Sequence, residues 1–142
     1  MKEPAEKEDV FRISKDRARA RDLLEMAKER IEIIDLLPKD KIFKLIEEYY
    51  EIIKELLTAV MYSDGYKTLS HIMLIEYFSS NYNELTREEI KLIDVLRKFR
   101  NGIMYYGEKV SETFLVNNEV DIKKIIKKLL RLVESKAGAN SF

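Results

Sequence analysis

Ile42-Phe43-Lys44-Leu45-Ile46-Glu47-Glu48-Tyr49-Tyr50-Glu51-Ile52-Ile53-Lys54-Glu55-Leu56-Leu57-Thr58-Ala59-Val60-Met61-Tyr62-Ser63-Asp64-Gly65 is the segment that decides the fold. Ile42, Leu45, Ile46, Tyr49, Ile53, Leu56, Leu57, Val60 and Met61 recur at spacings of three and four, which places them on one stripe of an α-helix. The spacing predicts a helix from about Lys41 to Ser63, with Asp40 as its cap. Asp64-Gly65 marks the stop, because glycine enters the left-handed C-cap conformation without a steric penalty.

The same periodicity extends outward in both directions. Upstream, Ala20, Leu23, Leu24, Ala27, Ile31 and Ile34 predict a first helix that starts near Ser14, capped by Ser14 or Asp16, and ends at Pro38. Downstream, a third helix is expected from about Thr68 to Tyr82. Its short connection to the second favours antiparallel neighbours or a sharp kink. Thr86-Arg87-Glu88-Glu89 is a capping box, in which hydroxyl and carboxylate each satisfy an orphan backbone N–H. It opens a fourth helix with Ile90, Ile93, Leu96, Phe99 and Ile103 on one face, closed by Gly107. Glu108 to Asn117 reads as extended or as further helical turns. A last helix is expected from about Val120 to Ser135, capped by Asn117 or Asn118, with Ile122, Ile125, Ile126, Leu129 and Val133 inward. The sum is an all-α, up-and-down bundle of four long helices plus one or two short ones. Residues 1–13 are expected as a mobile N-terminal arm, 14–137 as a single helical domain and 138–142 as a frayed tail.

Composition supports this class. The chain has 142 residues, enough for one domain with a core, and no cysteine, so disulfides and thiolate chemistry are excluded. Apolar residues make up 46% and charged residues 37%, with only 4 Gly and 2 Pro, too few for a turn-rich β-sandwich. The 26 basic and 26 acidic side chains cancel, whereas a nucleic-acid binder usually carries a basic surplus. No apolar run approaches a membrane span, and Met1 to Asp9 lacks the apolar core of a signal peptide, so a cytoplasmic protein is expected. The Glu, Lys and Ile content points to a thermophile.

Chemistry concentrates in Arg97-Lys98-Phe99-Arg100-Asn101-Gly102-Ile103-Met104-Tyr105-Tyr106-Gly107. Asn101-Gly102 is a turn dipeptide at which the helix can stop. Phe99, Ile103 and Tyr106 nevertheless continue the apolar stripe across the glycine. A continuous helix would align Arg97, Asn101 and Tyr105 on one line and Arg100, Met104 and Gly107 on another. His71, the only histidine, shares a helical face with Leu74 and Ile75. It reads as a packing or capping residue, or as a base if the third helix brings it to Arg100. Without a carboxylate cluster it is no metal site, and nothing calls for a cofactor.

Arg100-Asn101, followed by three residues and a ring, resembles the Arg-Asn-x-x-x-His signature of HEPN domains, with tyrosine in place of histidine. Asp64-Gly65-Tyr66-Lys67-Thr68-Leu69-Ser70-His71 is similar to the helix 2–3 junction of archaeal HEPN-like proteins, and the likeness spans about Asp16 to Val133. The resemblance implies a homodimer whose two arginines line an interface cleft. Members are metal-independent ribonucleases, often toxins paired with a nucleotidyltransferase, or binders of RNA or nucleotides. Carried onto this chain, Arg100 would hold a phosphate, Asn101 a backbone or neighbouring group, and Tyr105 or Tyr106 the histidine position. Arg97, Arg100, Tyr106 and His71 would contact the ligand. Tyrosine titrates at about 10 and makes a poor proton shuttle at neutral pH. The resemblance therefore implies RNA or nucleotide binding with weak or no catalysis. Docking of a partner such as a nucleotidyltransferase, or weak metal-independent ribonuclease activity, are the alternatives.

Lesser signals are weighed against packing. Tyr49, Tyr50, Tyr62, Tyr66, Tyr77 and Tyr82 read as core or interface residues rather than base-stacking platforms. Lys123, Lys124, Lys127, Lys128 and Arg131, like Arg17, Arg19 and Arg21, read as solvated faces or as a footprint for RNA. Glu47, Glu48, Glu51 and Glu55 lack the Glu-x-x-His partners of a diiron bundle.

Overall fold

The computed structural model describes residues 9–102 and 107–138. In these residues β1 (Val10–Arg12) precedes α1 (Arg17–Ile34), α2 (Ile42–Asp64), β2 (Tyr66–Thr68), α3 (His71–Asn81), α4 (Arg87–Arg100) and α5 (Glu108–Ala137). The all-α bundle is as the periodicity predicts.

α2 is the central helix. The predicted stripe is buried, and so are Tyr50, Ile52 and Ala59 on its flanks, because α1, α3, α4 and α5 all pack on it. Helix directions follow from the side-chain ties. Tyr49 bonds Glu119 while Asp64 pairs with Lys136, so α2 and α5 run parallel. Glu89 pairs with Lys128 while Phe99 stacks on Phe114, so α4 runs against α5. The Asp16 amide, just before α1, reaches the Tyr62 carbonyl near the end of α2, and Arg30 reaches back to Glu48 and Glu55. α1, α2, α4 and α5 therefore alternate up and down, with α3 as a shorter addition.

Several local expectations change. The arm expected over residues 1–13 is strand at Val10–Arg12, which pairs antiparallel with Tyr66–Thr68 and buries Val10. Residues 1–8 lie outside the described residues. Gly65 adopts φ +90° and its carbonyl accepts from Ile13, so the α2 stop also receives the incoming N-terminal chain. The third helix begins at His71 rather than Thr68, with Ser70 as its cap; Thr68 belongs to β2. Because residues 65–70 run back along α2, α3 lies in the same direction as α2, not antiparallel to it. His71 at its start meets Tyr50, and Tyr77 near its end bonds Asp64.

The capping box at Thr86 and Glu89 is present in both directions. α4 does not continue to Gly107. It ends at Arg100, Asn101 is its C-cap, and Gly102 turns left-handed at φ +76°. The turn dipeptide prevails over the apolar stripe. Glu108 to Asn117, read as extended or helical, is helix, and α5 runs 30 residues without a break at Asn118. Asn118 is no cap; its amide donates to the Phe114 carbonyl one turn earlier. Among the described residues no helix is long and apolar enough to cross a membrane.

Candidate functional site

Helix α2 brings polar side chains to its solvent-facing side, and three neighbours add theirs. Arg100, at the end of α4, donates from Nη2 to Glu51 Oε1 at 2.6 Å. Lys54, one turn along α2, holds the other oxygen of Glu51 at 2.7 Å. Arg97, one turn before Arg100, is buried and donates from Nε to Asp94 Oδ1 at 2.9 Å. His71, brought back by the extended 65–70 segment, lies with its ring 5.7 Å from that of Tyr50.

The electrostatics tie these groups together. Burial, and then the charges of Lys54, Arg100 and Arg97, lower the His71 pKa below its ordinary 6.5, with Glu51 opposing. A neutral imidazole at pH 7 follows. Burial pushes Glu51 up, but the Lys54 hydrogen bond and the charges of Lys54, Arg100 and Arg30 outweigh it and hold the carboxylate low. Tyr50 is 1% exposed, and its hydroxyl finds no hydrogen-bond partner among the described residues. Burial raises its pKa to about 12 even though Arg97 and Arg100 pull it down, so the phenol keeps its proton. A buried, unpaired hydroxyl is costly enough to need a reason.

Of the residues singled out from sequence, Arg97, Arg100 and His71 do gather. The Arg100 side chain is 30% exposed, whereas Arg97 is buried. Asn101 serves as helix cap and offers Oδ1 to Arg100 only at 3.4 Å. Tyr105 and Tyr106 lie outside the described residues. Tyr50, Glu51 and Lys54 complete the cluster and were not legible as members of it. Their only sequence signal was polarity interrupting a strongly apolar helix.

Other polar groups have structural uses. Glu48 and Glu55 clamp Arg30 between α1 and α2. With Glu51 turned to Lys54 and Arg100, the α2 carboxylates face cations. Among the described residues no group of three His, Cys, Asp or Glu side chains is arranged to hold a metal ion. Lys128 is taken by Glu89, Arg19 lies over the Tyr62 ring and Arg21 donates to the Ala137 carbonyl. These residues of the two basic stripes tether helices.

Chemically, the cluster offers an arginine and a lysine that share one carboxylate, a second, buried arginine, a neutral imidazole and a protonated phenol. Such a set can bind and orient an oxyanion. Compared with protein-family models, curated proteins and solved structures, the chain matches none.

Proposed function

We propose that this chain binds a phosphate of RNA or of a nucleotide at the cluster of Arg97, Arg100, Lys54, His71 and Tyr50, with weak or no catalysis. The observation that carries the reading is Tyr50. Among the described residues its buried hydroxyl lacks a partner beside two arginines, and a phosphate oxygen drawn in by Arg100 would supply an acceptor. A phosphate would compete with Glu51 for Arg100, a charge-assisted bond exchanged for a bidentate one.

Weak catalysis follows from the same groups. A phenol with a pKa of about 12 cannot serve as a base near neutrality. His71 can accept a proton, but Lys54 and Arg100 oppose its becoming cationic. The HEPN resemblance agrees with a phosphate-binding arginine and extends the proposal to a homodimer with the cluster at its interface. A second reading, docking of a partner protein, is favoured by Leu69 and Ile72, which flank His71 at 89% and 56% exposure.

Incubating the protein with mixed-sequence RNA in EDTA, beside Arg100→Ala, tests the proposal by gel retention and by cleavage. Retention without cleavage, lost in the variant, supports a binding module. Cleavage lost in the variant makes the chain a nuclease. Neither result, with Arg100→Ala unchanged in both, moves the docking reading ahead.

A further inference from the structure

One hydroxyl stands between the N-terminal strand and the start of α3. Thr68 Oγ1 donates to the carbonyl of Asp9, 59 positions away and just before β1. The same oxygen accepts from the Ser70 amide at 3.1 Å. A threonine hydroxyl can give its proton and accept at once, so a single side chain makes both bonds. Ser70 in turn caps α3: its Oγ accepts from the Met73 amide at 3.2 Å, and its carbonyl accepts from the Leu74 amide at 3.0 Å. His71 is the first residue of that helix. The strand end of the relay is anchored as well. Val10 is buried, Val10–Arg12 pairs with Tyr66–Thr68, and Ile13 donates to the Gly65 carbonyl at 2.9 Å.

We propose that Thr68 is a positioning residue for His71: through its hydroxyl, β1 fixes the start of α3 and so holds the imidazole beside Tyr50 and the Arg100 cluster. The first residue of a helix lies among unpaired amides that disfavour a cation, an effect that fades within one turn. Facing the ring among the described residues are Tyr50, Glu51 and Lys54 of α2, and Arg100 and Arg97 of α4, the latter with its partner Asp94. Burial, then Lys54, Arg100 and Arg97, keep the imidazole neutral against the pull of Glu51. Every one of these influences depends on the ring staying where the cap puts it. The relay serves phosphate binding only if the phosphate reading holds, but His71 reports its own position without RNA.

His71 is the only histidine, so its ring protons are unambiguous in an NMR pH titration of the full chain. Thr68→Val keeps the side chain's shape and strand preference and removes the hydroxyl. In this variant the His71 midpoint should rise towards the ordinary 6.5, while Thr68→Ser, which keeps the hydroxyl, should titrate like the parent protein. Ser70→Ala, which removes the cap alone, should move the midpoint in the same direction as Thr68→Val. RNA binding at about pH 6 should weaken about threefold in Thr68→Val and not in Thr68→Ser. The proposal is overturned by a His71 midpoint unchanged in Thr68→Val and Ser70→Ala, or by Thr68→Ser shifting as far as Thr68→Val. A shifted midpoint with RNA binding unchanged supports the relay and removes His71 from the phosphate site.

Discussion

Tyr50 and His71 show how placement decides chemistry. Tyr50 stands in a tyrosine pair that reads as packing, and its ring does pack, 1% exposed against the core. What the pattern conceals is the hydroxyl left without an acceptor among the described residues. A buried unmade hydrogen bond costs about 1–3 kcal/mol. Tyr50→Phe should therefore leave thermal stability unchanged or raise it, while weakening phosphate binding. A clear loss of stability would show that the hydroxyl already has a partner. His71 gives a pH dependence whose sign is fixed. Its folded pKa lies below the ordinary 6.5, so the unfolded chain binds the proton more readily and stability falls as pH drops through and below 6.5. A bound phosphate reverses the preference, because it favours the imidazolium. Phosphate binding should thus tighten as pH is lowered from 7.5 to about 5.5, and His71→Gln should flatten that profile. A profile unaltered in the variant would remove His71 from the site.

At the level of elements, the sequence was most legible where one physical signal acted alone. The 3.6-residue period of α2, the capping box of α4 and the glycine stop at Gly65 each correspond to a feature of the structure. Legibility failed where two signals competed or where the partner lay far along the chain. At Asn101-Gly102 the apolar stripe argued for continuation and the dipeptide for a turn, and the turn prevails. At Asn117-Asn118 two good caps invite a helix start, yet packing of Phe114 on Phe99 and burial of Leu115 carry α5 straight through. β1 was illegible because its partner β2 is more than fifty residues away and each strand has only 3 residues. Gly65 joins these elements. A Cβ there would lie 3.1 Å from the Ile13 carbonyl oxygen in a left-handed backbone. Gly65→Ala should cost about 1–2 kcal/mol, seen as a lower denaturation midpoint, with amide exchange faster in β1 than elsewhere. An unchanged midpoint would mean that neither the positive φ nor the close approach constrains the site.

Across the whole molecule, cohesion and candidate chemistry share α2: Glu48 and Glu55 hold Arg30 of α1 on the same helix face on which Glu51 meets Arg100 of α4. One carboxylate, Asp64, gathers Tyr77, Tyr82 and Lys136, and so fastens the end of α2 to α3 and α5. Glu89 and Lys128 fasten α4 to α5. Neither tie engages Glu51, whose two oxygens meet Arg100 and Lys54. That assembly was only partly legible. Arg97, Arg100 and His71 stood out by residue type, but their meeting depends on the extended return of residues 65–70, which no periodicity announces. Two opposed substitutions test the claim that a phosphate displaces Glu51 from Arg100. Fluorescence anisotropy of a labelled RNA oligonucleotide should give about tenfold weaker binding for Arg100→Ala and tighter binding than the parent protein for Glu51→Gln. Equal affinity in all three proteins, or weaker binding in Glu51→Gln with its fold intact, would contradict the claim.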